Sequence, residues 1–182
     1  NTDMTGLYRA MSSDGVSIQG EQVIVLGAGG VGRAVAFMCA AKGAAHVWLL
    51  NRTVEKAAEV AKEVNLAEGR SCVEALAMSD YDKLPDEKYL VIQSTSVGLY
   101  PHVEDAVITN PAFYHKVKAG YDLIYRPWET RFMQLVKEQG APAYNGLKML
   151  LYQGIEAFEL WNQCKIEDES AYKLYEMLRT TV

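Results

Sequence analysis

With 182 residues, 49% of them hydrophobic, the chain is long enough to bury one sizeable core. Its net charge of -5 comes from 18 Lys and Arg set against 23 Asp and Glu, mixed along the chain without a basic stripe, so nucleic acid is not an expected partner. No apolar run has the length of a membrane span and no signal peptide is recognisable, so no membrane partner is expected and the protein is read as soluble and cytoplasmic. Cys39, Cys72 and Cys164 are odd in number and unpaired by spacing, which predicts reduced, buried thiols. His46, His102 and His115 form no ligand cluster with them, so no metal is expected.

The chain opens on Asn1, Thr2 and Asp3, and we read it as a fragment of a longer protein whose upstream residues act with Asp3. Met4, Leu7, Tyr8 and Met11 recur at helical spacing, so a short helix is predicted over 4–11, with Asp3 capping its start and a turn at 12–15. Residues 23–26 are apolar and suit a buried strand. Gly27, Gly29 and Gly32 follow with the G-x-G-x-x-G spacing, and a helix is predicted over 34–41. In such a turn the first glycine permits the tight bend, the second lets the backbone approach a pyrophosphate, and the third lets helix pack on strand. The free N–H groups of the helix start attract the anion.

Gly43 is the expected C-terminal cap, and a strand over 46–50 completes a right-handed βαβ unit. A second helix over 54–64, capped by Thr53, leads to a weak strand at 71–73 and clear strands at 89–93 and 120–125. Between the last two, the hydroxyl-rich turn 94–98 falls at the carboxyl end of a strand, where ligands sit in open α/β sheets; an irregular loop over 101–111 follows. A helix over 130–139, a short strand at 142–144 and helices over 147–161 and 168–178 finish the chain. With no repeat or linker, the prediction is one domain over 1–182. Its class is α/β, a three-layer, Rossmann-like, doubly wound parallel sheet with flanking helices.

An NAD site normally ends its second strand in Asp or Glu, about 20 residues past the glycines. Here that place holds Asn51, Arg52 and Thr53. The Arg52 guanidinium can pair with a 2′-phosphate and stack on adenine, Lys56 adds a second positive charge and Thr53 a hydroxyl, so NADP is the expected cofactor. The plainer alternative is that Asn51 and Thr53 cap the helix and Arg52 is solvated.

Taken together, Asn1-Thr2-Asp3, the 27–31 turn, Asn51-Arg52-Thr53, the 94–98 turn, residues 121–125 with Pro127 and Thr130, and residues 145–150 with Gln153 resemble the NADP-binding half of shikimate dehydrogenase across nearly the whole chain. The resemblance implies that Asp3 is the catalytic acid–base partner at the substrate hydroxyl, with Thr2 beside it, and that Tyr125 and Gln153 contact shikimate. It implies that Gly27, Ala28, Gly29, Gly30 and Val31 hold the pyrophosphate, that Asn51, Arg52, Thr53 and Lys56 hold the adenosine phosphate end, and that Thr95, Ser96, Leu123 and Gly146 line the nicotinamide side. The implied reaction is the reversible NADPH-dependent reduction of 3-dehydroshikimate to shikimate in aromatic amino-acid biosynthesis. The implied partners are that small-molecule substrate, a missing N-terminal substrate domain and a second copy in a homodimer.

Gln93-Ser94 stands where the family usually has Asn-Ala, and Asp3 is followed by Met4 instead of Gly. The family's catalytic lysine and serine-rich pocket fall in the domain absent from these residues. A secondary alcohol losing hydride must also lose its hydroxyl proton, which a lysine and a carboxylate can relay without a metal. Asp3 as a simple helix cap and Gln153 as a surface polar residue remain the plainer alternatives. Competing functions are a quinate/shikimate dehydrogenase, the NADP domain of glutamyl-tRNA reductase, and a non-catalytic dinucleotide-binding regulatory module.

Overall fold

The computed structural model describes residues 2–181, so Asn1 lies outside the described residues. In chain order the elements are α1 (Thr2–Ser13), β1 (Gln22–Leu26), α2 (Gly30–Ala41), β2 (His46–Asn51), α3 (Val54–Glu68), β3 (Val73–Ala77), a 3-10 turn (Met78–Lys83), β4 (Tyr89–Gln93), α4 (Pro111–Tyr114), β5 (Val117–Asp122), α5 (Arg131–Glu138), β6 (Ala143–Tyr144), α6 (Leu147–Asn162) and α7 (Asp168–Arg179). Ile18–Asn145 forms one compact unit, and the stretches before and after it form a second.

The first unit is built on a six-stranded sheet ordered β3-β2-β1-β4-β5-β6, with every pair parallel. The chain starts in the middle, winds outward to β3, returns to β4 beside β1 and winds outward again. Right-handed crossovers in opposite directions put helices on both faces, which explains why all of β4 is buried and why its residues are apolar except for Gln93. Ile24, Leu26, Val91, Phe113, Phe132 and Val136 belong to one core cluster. The fold is the predicted doubly wound α/β sheet with flanking helices.

Several boundaries differ from expectation for visible reasons. The third strand runs over Val73–Ala77 instead of 71–73 because the Asn65 side chain takes the Cys72 and Val73 N–H groups, both at 2.8 Å, and holds that stretch to the end of α3. The fifth strand stops at Asp122, three residues early, because the Asp122 carboxylate accepts the Ile124 N–H at 2.9 Å and turns the chain. The loop over 101–111 ends in α4, where Asn110 accepts the Ala112 N–H at 3.0 Å with Pro111 behind it.

Asp3 does not precede α1 but lies in its first turn, since helical geometry already begins at Thr2; its negative charge still complements the helix dipole there. Thr53 occupies the N-cap position of α3 without a side-chain cap, its carbonyl instead accepting from Asn51 Nδ2 at 2.8 Å. Gly43, at φ 80°, follows the C-cap Lys42 of α2.

In the helical unit, α1 packs along α6 and α6 on α7, with Leu7, Ala10 and Met11, Leu147, Tyr152 and Ile155, and Ala171 buried. Arg9 reaches Glu156 at 3.1 Å and Glu159 at 3.3 Å, and lies over the Tyr152 ring. Burial alone would raise the Glu159 carboxyl; the Ile166 N–H, the Lys165 ammonium and Arg9 outweigh it and hold the group at about 2. Phe158, Leu160, Trp161, Tyr172 and Met177 on α6 and α7 are exposed.

Candidate functional site

The order of the sheet reverses between β1 and β4, so the chain leaves those two strands in opposite directions and opens a crevice at their carboxyl ends. The turn after β1 fills its floor. Gly27 has φ 104°, and its N–H donates to the Leu50 carbonyl at 2.8 Å. A Cβ on Gly32 would stand 2.1 Å from the Gly27 carbonyl oxygen, so only glycine lets α2 start this close to the strand. Around Gly29 and Gly30 a Cβ would meet nothing within 4 Å. Gly29 is the N-cap of α2, whose first N–H groups have no intrahelical acceptor and face this open space. The Ser94 hydroxyl, at the end of β4, donates to the Leu26 carbonyl at 2.8 Å and ties the two strand ends together.

A second candidate position for an anion lies at the end of β2. Asn51 Oδ1 accepts the Ala28 N–H at 3.1 Å while its Nδ2 donates to the Thr53 carbonyl, so one side chain joins the glycine turn to the β2–α3 turn. Arg52, Thr53 and Lys56 are exposed there. Arg52 in the turn and Lys56 in the first turn of α3, with no carboxylate at the strand end, suit an anion. Helix capping does not account for Asn51, which acts across 23 residues on Ala28.

A cleft of about 1010 Å³ adjoins the turn, lined by Val31, by Ser94, Thr95, Ser96 and Leu99 on one wall, and by Leu123, Ile124 and Tyr125 on the other. The expected residues Thr95, Ser96, Leu123, Tyr125 and Val31 are therefore brought together in one cleft. Tyr125 is exposed and presents its ring at the mouth.

Beneath the cleft lies a buried polar network that the sequence reading assigned no role. Gln93 is wholly buried, its Oε1 accepting the Thr95 N–H at 2.5 Å and its Nε2 donating to the Val97 carbonyl at 3.1 Å and, more weakly, to Asp122 Oδ1 at 3.4 Å. Asp122 is equally buried and accepts the Ile124 N–H and, at 2.6 Å, the Thr130 hydroxyl. Thr130 in turn caps α5 by accepting the Met133 N–H. The signal was present in the sequence as two polar residues, Gln93 and Asp122, each ending a strand that otherwise reads as buried.

Burial raises the Asp122 carboxyl from its ordinary 3.8 to about 6, against the opposing pull of Thr130, Ile124 and Gln93. The folded state therefore holds this proton more tightly than the unfolded chain. Its stabilising contribution is full below about pH 4 and is lost as pH rises through 6, a change on the order of 2–3 kcal/mol. Urea unfolding of Asp122→Asn should lack that component, so the difference between variant and parent is expected to shift by that amount between about pH 4 and about pH 7.

Thr2, Asp3, Gly146 and Gln153 belong to the helical unit. Thr2 and Asp3 begin α1, and the Thr2 carbonyl accepts from the Thr5 hydroxyl at 3.2 Å. Gly146 is the buried N-cap of α6. Gln153 lies mid-helix and half-buried, its backbone so close to Gly6 that a Cβ there would lie 2.6 Å from Gln153 N; its Nε2 donates to the Leu150 carbonyl. Gln153 is thus not the fully exposed polar residue of the plainer alternative.

The cysteines divide. Cys39 and Cys72 are buried, and burial pushes the Cys39 thiol up to about 12, while Cys164, expected to be buried, is exposed because it follows the left-handed cap Gln163 in the turn after α6. Among the described residues no group of His, Cys, Asp and Glu is arranged to hold a metal ion, and no helix is long and apolar enough to cross a membrane.

Comparison with known proteins adds an independent line. A family model described as Shikimate / quinate 5-dehydrogenase matches residues 10–111, and one described as Shikimate 5'-dehydrogenase C-terminal domain matches residues 146–172. The chain is 35% identical over 161 residues to the protein of Methanosarcina barkeri named shikimate dehydrogenase (NADP(+)), covering 88% of this chain and 57% of that protein. The chain thus spans little more than half the length of that curated relative. Among solved structures, a chorismate mutase/shikimate 5-dehydrogenase fusion protein from Clostridium acetobutylicum superposes with a TM-score of 0.87 at 28% identity, over 100% of this chain and 62% of that one. Shikimate 5-dehydrogenase from Listeria monocytogenes, solved with shikimate and NAD, does so at 0.84 and 26%, over 95% of this chain and 62% of that one. The doubly wound sheet with its crevice and these matches lead to one conclusion: the chain belongs to the shikimate/quinate 5-dehydrogenase family.

Proposed function

We propose that these residues form the NADP-binding part of a shikimate dehydrogenase, catalysing the reversible NADPH-dependent reduction of 3-dehydroshikimate to shikimate in aromatic amino-acid biosynthesis. The observation that carries it is the exposed Arg52, with Lys56 in the first turn of α3, on a corner joined through Asn51 to an open glycine turn. The residues fit the cofactor. Gly29 and Gly30 leave room for a pyrophosphate at the N-terminus of α2, and Arg52, Thr53 and Lys56 are placed for a 2′-phosphate. The cleft between Thr95 and Tyr125 has the apolar lining and volume for the nicotinamide end. When bound, that ring supplies the hydride chemistry.

The work of the chain's own side chains is to bind, orient and move a proton. Asp3, by its likeness to the family, exchanges a proton with the substrate hydroxyl, with Thr2 beside it, while Tyr125 and Gln153 contact the cyclohexene acid. A substrate domain outside these residues supplies the lysine that completes the proton relay, and the protein works as a cytoplasmic homodimer. The length of the relatives and the exposed Phe158, Trp161 and Met177 support a further partner surface. Quinate is the competing substrate, because the family's description names both acids, and parallel assays of the extended protein with each acid decide between them.

Relatives differ in cofactor, NADP(+) in the name of the Methanosarcina barkeri protein and NAD in the Listeria complex, so Arg52 is the residue to test. A charge-assisted hydrogen bond contributes about 1.5–3 kcal/mol, which is roughly 10- to 150-fold in affinity. Titration of NADPH and NADH into the parent chain and Arg52→Ala is expected to show NADPH preferred by the parent and weakened by that factor in the variant, with NADH unaffected. Equal affinities in the parent would remove the assignment of this turn.

A further inference from the structure

Asp122 has no part in the reading above, yet both walls of the cleft lead back to its carboxylate. On one side the Gln93 amide, 3.4 Å away, grips the turn after β4 at the Thr95 N–H and at the Thr95 and Val97 carbonyls. On the other, Asp122 itself takes the Ile124 N–H, which bends the chain into the wall formed by Leu123, Ile124 and Tyr125. Through Thr130 it also fixes the start of α5. The donors at Gln93, Ile124 and Thr130 are buried, so removing the carboxylate leaves them without their acceptor away from solvent. The single Gln93 amide reaches from the end of β4 to both the Val97 carbonyl and Asp122.

We propose that Asp122 is a positioning residue for the nicotinamide end of the dinucleotide: with Gln93 it sets the separation of the two walls of the cleft and so the placement of Thr95, Leu123 and Tyr125. This rests on reading the cleft as the cofactor site. The carboxylate touches no ligand-facing space. Its direct bonds all go to the cleft walls and α5, whereas the β2–α3 turn that holds Arg52 is reached from Gln93 only indirectly, through Ser94 on the Gly27 carbonyl and Asn51 on the Ala28 N–H, so the effect is expected to be largest at the cleft.

The experiment compares two probes on the 182-residue chain: NADPH, followed by its nicotinamide fluorescence, and adenosine 2′,5′-bisphosphate, which carries only the other end. For Asp122→Ala we expect NADPH affinity to fall about tenfold or more and the fluorescence change on binding to be lost, with bisphosphate affinity kept within about twofold. Asp122→Asn retains an acceptor for Ile124 and can donate to Thr130, and it is expected to recover most of the NADPH affinity and the fluorescence change. If Asp122→Ala does not fold by circular dichroism, Gln93→Leu takes its place, with the same selective loss of NADPH expected. Equal weakening of both probes, or no weakening of either in a folded variant, overturns the positioning role. A parent chain that binds neither probe overturns the cofactor reading itself, a distinguishable result.

Discussion

Gly29→Val is expected to abolish NADPH binding while leaving the sheet unit folded. The backbone at Gly29, φ -73° and ψ -173°, is open to any residue, and a Cβ there meets no protein atom within 4 Å. The isopropyl group would stand instead in front of the N-terminus of α2, where a pyrophosphate must come to meet the free N–H groups. Losing two charge-assisted hydrogen bonds at about 1.5–3 kcal/mol each weakens binding by on the order of 10² or more. Circular dichroism and cofactor titration on one sample separate the two effects. Retained binding would mean that the open space at Gly29 is not a ligand position. Gly32→Val is the contrasting case, since its Cβ would overlap the Gly27 carbonyl and damage the fold itself.

The second large effect concerns Asp3. In the protein extended by the proposed substrate domain, Asp3→Ala is expected to slow shikimate oxidation by about 10²–10⁴-fold, the usual contribution of a positioned proton-transfer group, with NADPH affinity unchanged. The 182-residue chain by itself is expected to bind NADPH yet show little turnover, since positioning of two reactants supplies about 7–11 kcal/mol of a barrier and the proposed lysine partner lies outside these residues. Spectrophotometric NADPH formation after mixing with shikimate and NADP reads both. Brisk turnover by the chain alone, or full activity of Asp3→Ala in the extended protein, would transfer the chemistry to other residues.

The parts legible in sequence were those with a local signature. The apolar run before Gly27 could only be a central strand, and the polar turns after β1, β2 and β4 marked the carboxyl edge of the sheet. What escaped depended on side-chain bonds, backbone conformations and strand pairings that no residue pattern announces. The start of β3 is decided by an asparagine at the end of α3, and the end of β5 by a carboxylate that bends its own chain. The exposure of Cys164 follows from a left-handed residue, Gln163, whose identity predicts no such geometry. The Gln93–Asp122–Thr130 network was spelled out in the residues but invisible as a network, because only strand pairing brings the ends of β4 and β5 side by side. Grouping of the terminal helices into their own compact unit likewise rests on packing between α1 and α6, which are separated by the whole sheet in sequence.

Asn51 carries a lesson for anyone re-engineering nicotinamide preference. The obvious route toward the unphosphorylated cofactor is to transplant an acidic strand end and its turn in place of residues 51–56. That exchange would remove the Asn51 amide, which both accepts the Ala28 N–H, 23 residues upstream, and donates to the Thr53 carbonyl; a carboxylate in its place keeps the acceptor but loses the donor that joins the two turns. Charge reversal and scaffold are therefore separate design variables at this corner of the sheet. Alterations confined to Arg52 and Lys56 keep the scaffold, whereas wholesale loop grafts from NAD enzymes change both at once.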